Sequence, residues 1–591
     1  MTGNRLRPYK HVLPLAILFL GVSLSTIIWT ELDKTPPPWD PADHISAGYD
    51  YYQSLAHLRF ADFAKDFFSM PHFYAPLVHI VTALVFLVFG ASRLAGIGVN
   101  FISLAILLGS VYWTARFLYS KESLEGANGN GRPVYWPGIL AALLVVCYHF
   151  PAWLVHDAFL DYPLIAIVAL SFALLIRAGD FKVRRHAVAF GVVTGLGMLT
   201  KQTFPFFFFL PALYITIRVL ISRDAKAILN LVLAAAVAIV IAGIWYVPHL
   251  DDVIAIYKVN QVGAVNENEA PLYTIGSNLF YVHALLSTQV QVPFGALFLF
   301  GLIYSLVRRR KGTALLSLWV LSGMIAFTFV ANKDARYTVP ILPAVALLSV
   351  SWFTSSKPSP ASKLKRALKP ALAAVIVVWS VVSFMNAQYP RDGYGLSYEL
   401  PLFSWRIFAR NYYGFDHHPL SDDWKIQDIV RAVKAHRDQE LAKMRDRSES
   451  ANRQTSGRQP TPEETISPPT KGIGIFDEAG QAILGIVVNM PQMNPSTIGM
   501  TARLMAPERA GPPLIYVDWL VVESALDRID TCDYLLVRTG YAPEDYVAPA
   551  ERRVEEILRA APERFTKIAS FEIPNNQEAI IYKIEKGTRP E

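Results

Sequence analysis

Two segments of the sequence place carboxylates beside apolar runs. One is WDPADHISAGYDYYQSL, in which Asp43 and His44 fall within an amphipathic helical pattern. The other is HDAFLDYPL, in which Asp157 and Asp161 lie four residues apart, with Asp161 at the start of an apolar run. A carboxylate so close to hydrocarbon is costly unless it has a partner or a role, and a positioned carboxylate can take a proton from a hydroxyl or an amine. The alternative is that these acids cap helices at the membrane surface.

Two further segments place cations beside apolar runs. In GLGMLTKQTFPFFFF, Lys201 follows a glycine-rich helical pattern, and in VANKDARYTVPILP, Arg336 precedes Tyr337 in a short turn. The planar fork of Arg336 suits the oxygens of a phosphate, and an anionic ligand would also explain Lys201. The alternatives are that Lys201 extends to lipid headgroups and that Arg336 pairs with Asp334.

The elements that must position these residues are membrane helices. The chain has 591 residues, of which 53% are hydrophobic and 17% charged, and the mean hydropathy is +0.30. This composition is typical of a polytopic membrane protein. The first apolar run, His11–Trp29, is followed by no small-residue cleavage site, which favours a retained signal anchor. With it we predict eleven spans, the others being Leu94–Leu118, Trp136–Leu154, Asp161–Ile176, Ala187–Thr200, Phe204–Ile221, Ala227–Val247, Val292–Val307, Thr313–Val330, Tyr337–Phe353 and Pro370–Gln388.

The distribution of basic residues predicts the orientation. The run Pro76–Phe89 is too short for a typical span and is read as an interfacial segment. The loops richest in Lys and Arg, near residues 116–132, 177–185, 218–226, 308–311 and 357–369, then share the cytoplasmic side with the N-terminus. These loops and the N-terminus hold 22 Lys and Arg residues against four acids, and the rest of the chain is net negative. The net charge of +7 therefore reflects membrane orientation, and no nucleic-acid partner is expected. With two cysteines, neither a disulfide framework nor a cysteine metal site is expected.

A second domain is predicted after the last span. Residues 1–388 form the membrane domain, with a first outer loop at 30–93 that contains interfacial helices, and residues 389–591 form a non-cytoplasmic soluble α/β domain. In that domain we expect a polar helix over Asp423–Arg445, a flexible linker near 446–470, a helix over Ala548–Ala561, and strands at GIGIF, LGIVV, LIYVDWLVV, DYLLVRT, FTKIASFEI and EAIIYKI. The outer loop His249–Gln291 is long enough to cover a site.

Four motifs carry a resemblance to a known family. They are DHISAGYDYYQSL, AFLDYPLIAIVAL, GLGMLTKQTF and ARYTVPILPAVALL, within residues 10–390. In order and in predicted membrane side they resemble polyprenyl-phosphate-dependent glycosyltransferases of the GT-C superfold, specifically glycosyltransferase family 39, the protein O-mannosyltransferase and aminoarabinose transferase group.

The resemblance implies roles for individual residues. Asp43 would act as general base or orient the acceptor, and Asp161 would assist it. Lys201 and Arg336 match basic positions near the lipid phosphate. Supporting positions are His44, Asp157 and Tyr337, although the family often has Glu where this chain has His44.

The predicted function is therefore an inverting glycosyltransferase. It would move a sugar from a polyprenyl-phosphate donor to a protein, lipid or glycan acceptor on the non-cytoplasmic face, and the membrane would be a bacterial plasma (inner) membrane with the active site toward the periplasm or exterior. No cofactor is required, although a divalent metal could bridge Asp43 and Asp161. One alternative is a lipid or glycan transporter or flippase, which predicts interrupted helices or internal repeats. Another is a membrane-anchored binding module.

Overall fold

The structure is a computed structural model. It describes residues 12–69, 74–125, 135–266, 269–354, 363–390, 396–400, 403–408, 417–455, 481–505, 515–540 and 547–586.

Helices dominate the described residues. The α-helices of the first half are α1 (Val12–Leu32), α2 (Trp39–Ala56), α3 (Phe60–Ser69), α4 (Leu77–Phe89), α5 (Arg93–Gly96), α6 (Gly98–Glu125), α7 (Trp136–Cys147), α8 (His149–Leu154), α9 (Asp161–Ala178), α10 (Arg184–Met198), α11 (Phe209–Ser222), α12 (Ala225–Tyr246), α13 (Leu250–Asn266) and α14 (Ile275–Ala284). They are followed by α15 (Gln291–Val307), α16 (Thr313–Thr328), α17 (Leu342–Ser349), α18 (Lys363–Gln388), α19 (Ile426–Thr455), α20 (Pro495–Leu504) and α21 (Ala548–Ala560).

Shorter helical turns and strands complete the described elements. The 3-10 turns are Phe204–Phe207, Ala335–Ile341, Ser351–Thr354, Glu523–Thr531 and Pro562–Arg564, and a π-turn covers Leu285–Gln289. The strands are β1 (Leu396–Leu400), β2 (Phe403–Phe408), β3 (Ala482–Ile486), β4 (Ile515–Trp519), β5 (Tyr534–Arg538), β6 (Phe565–Ile573) and β7 (Gln577–Ile584).

The chain divides into two compact units. The membrane unit comprises Met1–Asp33 and Arg59–Leu420, and the α/β unit comprises Lys34–Leu58 and Ser421–Glu591. The sequence predicts one domain over residues 1–388, whereas the structure groups Lys34–Leu58 with the C-terminal residues. The physical reason is that α2 packs along α20, a contact between segments about 450 residues apart.

Several helices of the membrane unit are long and apolar enough to cross a membrane. Among the described residues there are six, and a seventh if the pair Ile275–Gln289 and Gln291–Val307, bent by 115°, counts as one span. Shorter apolar helices are α4, α7, α11 and α16. The protein is therefore an integral membrane protein. The count of eleven spans and the cytoplasmic N-terminus stay predictions.

The predicted covering loop is largely helical. His249–Gln291 contains α13, α14 and the π-turn Leu285–Gln289. Its polar and apolar residues alternate too irregularly for the helical period to be read from the sequence alone.

Close packing of helices holds the membrane unit together. The Gly191 and Gly195 pair on α10 faces α12, where a Cβ on either glycine would overlap atoms of α12 such as the Ala234 carbonyl. Small residues allow such approach where lipid and protein are equally apolar. The core also stacks aromatic rings, as in Phe172 and Trp319, whose centroids lie 3.9 Å apart.

The α/β unit is a five-stranded sheet with helices on both faces. The strand order is β4-β3-β5-β7-β6, with β3 parallel to β4 and β5, and β7 antiparallel to β5 and β6. Residues of α19 and α20 pack on one face and residues of α21 on the other.

Most strands of this unit lie where the sequence predicts them. GIGIF and residues 456–480 lie outside the described residues. The polar helix begins at Ile426 and runs to Thr455, so it includes the start of the predicted linker near 446–470. Closely spaced charged residues in this segment are compatible with a helix as well as with a linker.

Replacing Gly191 by Ala should destabilise the membrane unit. The added methyl group meets the backbone of Ala234, which cannot rotate away, so α10 and α12 must separate, at a cost of about 1–3 kcal/mol. The matched control is Gly243→Ala on α12, where the nearest atom to a new Cβ lies 3.8 Å away. Thermal unfolding of the detergent-purified protein measures both variants, and equal midpoints would contradict the packing described above.

Candidate active site

Asp161 and Lys201 form a buried ion pair. Lys201 Nζ donates to Asp161 Oδ1 at 2.7 Å, and the side chains are 13% and 3% exposed. Asp161 is the first residue of α9 and Lys201 follows the end of α10. These ends meet because α9 and α10 are joined by a short turn that starts at Gly179, whose φ of 57° is left-handed. The first N–H groups of α9, which have no acceptor within the helix, also favour a carboxylate there.

The turn before α17 brings Arg336 and Tyr337 to the same place. Asp334 caps the 3-10 turn, accepting from Arg336 N at 2.8 Å and from Arg336 Nε at 2.6 Å. The Arg336 guanidinium lies 4.3 Å from the ring centroid of Phe159, two residues before Asp161. Lys201 Nζ lies 5.7 Å from the ring centroid of Tyr337. The structure thus brings together Asp161, Lys201, Arg336 and Tyr337, which the sequence analysis selected separately.

Charge in this cluster is balanced internally. Burial raises the pKa of Asp334, the nearby Arg336 charge lowers it, and the Asp161 carboxylate raises it again. Both cations that the sequence analysis assigned to a phosphate are paired with carboxylates in this structure. For Arg336 this is the pairing that the sequence left open as an alternative. A phosphate at this cluster would have to replace carboxylate oxygens as the acceptor for these donors.

Lys333, in the same turn, has a structural contact of its own. Its Nζ donates to the carbonyl oxygens of Phe327 and Thr328 at 3.1 and 2.7 Å. These carbonyls end α16, so the ammonium group caps the negative end of that helix. Burial lowers the pKa of Lys333 to about 8, and the charge of Glu269 opposes this shift.

Asp157 lies beside a different ion pair of the membrane unit. Its carboxylate accepts from Ala158 N at 2.9 Å. Burial raises the pKa of Asp157 to about 6, against the opposing charge of Arg93. Arg93 itself pairs with Asp33 at 2.8 Å. No local pattern in the sequence distinguishes Arg93 or Asp33 from other polar residues at helix ends, so neither is predicted as a site residue.

Asp43 and His44 lie on α2, within the α/β unit. His44 is buried and Asp43 is partly exposed. Asp43 and Asp50 are seven residues apart, which places them on one face of the helix. Arg503 of α20 contacts this face, with Nε 3.0 Å from Asp50 Oδ1 and Nη2 3.4 Å from Asp50 Oδ2.

Arg503 was missed by sequence reasoning, although it is bound into this acidic face. Burial lowers the pKa of its guanidinium, but the charge of Asp50, the hydrogen bonds to Asp50 and the charge of Asp43 together raise that pKa above its usual value. Its partner lies 453 residues away, and no spacing rule links residues at that separation.

Metal binding and cofactor use stay predictions. Within the described ranges, no group of three or more His, Cys, Asp or Glu side chains is arranged to hold a metal ion.

Comparison with solved structures identifies the fold. The apo form of ArnT from Cupriavidus metallidurans aligns with a TM-score of 0.56 at 13% identity, covering 98% of this chain and 99% of that chain. Its form bound to undecaprenyl phosphate aligns with a TM-score of 0.54 at 12% identity, with the same coverage. The fold is ArnT-like. At this identity the likeness concerns the fold, and membership of glycosyltransferase family 39 stays a prediction.

Sequence comparison finds a relative that matches part of the chain. No protein-family model matches the chain. An uncharacterized protein of Aquifex aeolicus (strain VF5) is 25% identical over 170 residues, which are 28% of this chain and 32% of that protein. The match thus spans about a third of the relative's length.

Replacing Lys201 by Met should leave the Asp161 carboxylate buried without its partner. Removing one member of a buried pair costs about 3–5 kcal/mol. The control is Arg218→Met, which removes the Arg218–Asp180 pair; its distance is also 2.7 Å, but its side chains are 49% and 32% exposed, so the loss should be below about 1 kcal/mol. Thermal unfolding in detergent measures both. The double variant Asp161→Asn with Lys201→Met should be more stable than Lys201→Met alone. Equal destabilisation by Lys201→Met and Arg218→Met would contradict the role given to burial.

Proposed function

We propose that this protein is an inverting glycosyltransferase that moves a sugar from a polyprenyl-phosphate donor to a protein, lipid or glycan acceptor. The reaction would take place on the non-cytoplasmic face of a bacterial plasma membrane. The observation that carries the proposal is the convergence of Lys201 and Arg336 at the start of α9, beside Asp161. It is supported by the ArnT-like fold, since one of the aligned ArnT structures is bound to undecaprenyl phosphate.

The two cations suit the departing group of such a donor. As the bond between the anomeric carbon and the phosphate oxygen breaks, the bonding electrons stay on the polyprenyl phosphate. Lys201 and Arg336 would hold that charge by exchanging their carboxylate partners for phosphate oxygens. Donors placed where charge develops lower the barrier of such a reaction.

The acceptor requires a base rather than an acid. Phosphate is already a good leaving group, so the acceptor hydroxyl or amine must lose its proton as it attacks the anomeric carbon. We assign this proton to Asp43, whose carboxylate is partly exposed on α2. Bond formation and bond breaking on opposite sides of one carbon invert its configuration.

Asp43→Asn should abolish sugar transfer while leaving membrane insertion intact. Loss of a general base lowers the rate by about 10²–10⁴-fold. The control is Asp40→Asn, one turn earlier on the same helix, which should keep transfer within about threefold. The assay is release of polyprenyl phosphate from a labelled polyprenyl-phosphate sugar by the full-length protein. Wild-type turnover in Asp43→Asn would remove this residue from the mechanism.

Arg336→Gln should weaken binding of the donor phosphate. A hydrogen bond to a charged group contributes about 1.5–3 kcal/mol, which corresponds to about tenfold or more in affinity. The measurement is the rise in unfolding temperature that undecaprenyl phosphate produces, titrated in detergent. Arg218→Gln, an exposed arginine of the same unit, is the control. An unchanged titration in Arg336→Gln would exclude this residue from the phosphate site.

A transporter or flippase is the second candidate function. The helices Ile275–Gln289 and Gln291–Val307 meet at 115° around a π-turn, and interrupted helices are common at transport sites. Gln291 at the bend is buried with a φ of 66°. Liposomes containing the protein and a labelled polyprenyl-phosphate sugar separate the two functions. Translocation of the lipid without any glycosidic transfer would support the transporter.

A further inference from the structure

The helix that carries Asp43 belongs structurally to the C-terminal α/β unit. Lys34–Leu58 groups with Ser421–Glu591 by its contacts, and α2 packs along α20. On α2, the side chains of Ala42, Ile45 and Tyr49, whose spacing places them on one face, are at most 5% exposed. One flank of the helix is therefore fixed by burial, and the direction of the other residues follows from the helical period.

The N-terminal end of α2 is bound where the parallel strands of the sheet have their carboxyl ends. Trp39 Nε1 donates to Asn489 Oδ1 at 2.6 Å, and Thr497 Oγ1 donates to the Pro37 carbonyl at 2.8 Å. Asn489 lies just beyond β3, and Thr497 lies in the first turn of α20, where its N–H is capped by Asn494.

This edge of the sheet is a topological switch point. The chain leaves β3 toward β4 on one side, whereas β5 lies on its other side. In such sheets the loops beyond the carboxyl ends of the strands diverge, and the crevice between them commonly binds a ligand. Here the polar groups beyond β3 bind the start of α2, a segment of the same chain.

The C-terminal half of α2 is bound by Arg503. Its guanidinium forks onto Asp50, with distances of 3.0 and 3.4 Å, and the side chains are only 21% and 29% exposed. A two-point contact of this kind fixes orientation as well as distance. Asp43 lies between the two anchors, one turn after Trp39 and two turns before Asp50, and its charge acts on Arg503.

We infer that Arg503 is a positioning residue, through which the α/β unit fixes α2 and thereby the carboxylate of Asp43. This inference rests on the proposed function, in which Asp43 is the acceptor base. The α/β unit then serves the reaction by fixing α2, although Asp43 itself lies outside the sheet. Displacement of a base by about 1 Å can lower the rate about 10²-fold. Loss of the Arg503–Asp50 contact should therefore lower the turnover number more than it weakens donor binding.

The test uses Arg503→Met in the full-length protein. The turnover number should fall by about 10²-fold, and the KM for the polyprenyl-phosphate sugar should change by less than about threefold, because the donor cations are elsewhere. Arg503→Lys keeps a cation opposite Asp50 and should restore turnover to within about tenfold of wild type. The matched control is Arg528→Met, which removes an equally forked pair with Asp518 in the same unit and should leave turnover unchanged.

A second measurement is independent of activity. In Arg503→Met, hydrogen exchange of the amides of Trp39–Ala56 should become faster by about tenfold or more, while that of Asp161–Ala178 stays unchanged. Faster exchange together with lower turnover supports the inference. Unchanged exchange, or faster exchange with wild-type turnover, overturns it. If the wild-type protein transfers no sugar, the proposed function fails, and exchange in α2 alone decides whether Arg503 anchors the helix.

Discussion

The buried ion pair between Asp161 and Lys201 is the interaction on which the candidate site depends. In an apolar helical bundle neither an isolated carboxylate nor an isolated ammonium group is stable, so each requires the other. The requirement joins the start of α9 to the end of α10. Arg336 and Tyr337 then reach the same place through contacts with Phe159 and Lys201. A set of charges that is balanced without a ligand can accept a phosphate only by exchanging partners, which gives the proposed reaction a charge-neutral resting state.

Polar groups of the α/β unit are also paired with residues that are distant in the sequence. Arg503, a partly buried cation of this unit, pairs with Asp50 of a helix from the N-terminal part of the sequence. The polar edge of its sheet is likewise satisfied by Trp39 and the Pro37 carbonyl. The α/β unit is therefore built from two distant segments of the chain, Lys34–Leu58 and Ser421–Glu591. Neither segment satisfies its polar groups in this way without the other.

Hydropathy and strand patterns predicted much of the secondary structure. FTKIASFEI became β6 over the predicted residues, and the predicted helix near Ala548–Ala561 ends one residue earlier, because both have the strong period of an element with one buried face. His249–Gln291, expected as a loop, forms helices instead, and α19 extends past the predicted helix end. Both differences occur where polar residues are compatible with helix and with coil, so that packing decides.

Composition and periodicity predict many apolar helices with carboxylates and cations at their ends. Residue type and position beside apolar runs predict Asp161, Lys201, Arg336 and Tyr337 as candidate site residues. The ion-pair partners depend on tertiary contacts: Lys201 pairs with Asp161, Arg336 with Asp334, and Asp50 with Arg503. The reason is physical. Periodicity reports which face of an element is buried, whereas an ion pair depends on distance in space, and residues 453 positions apart share no period.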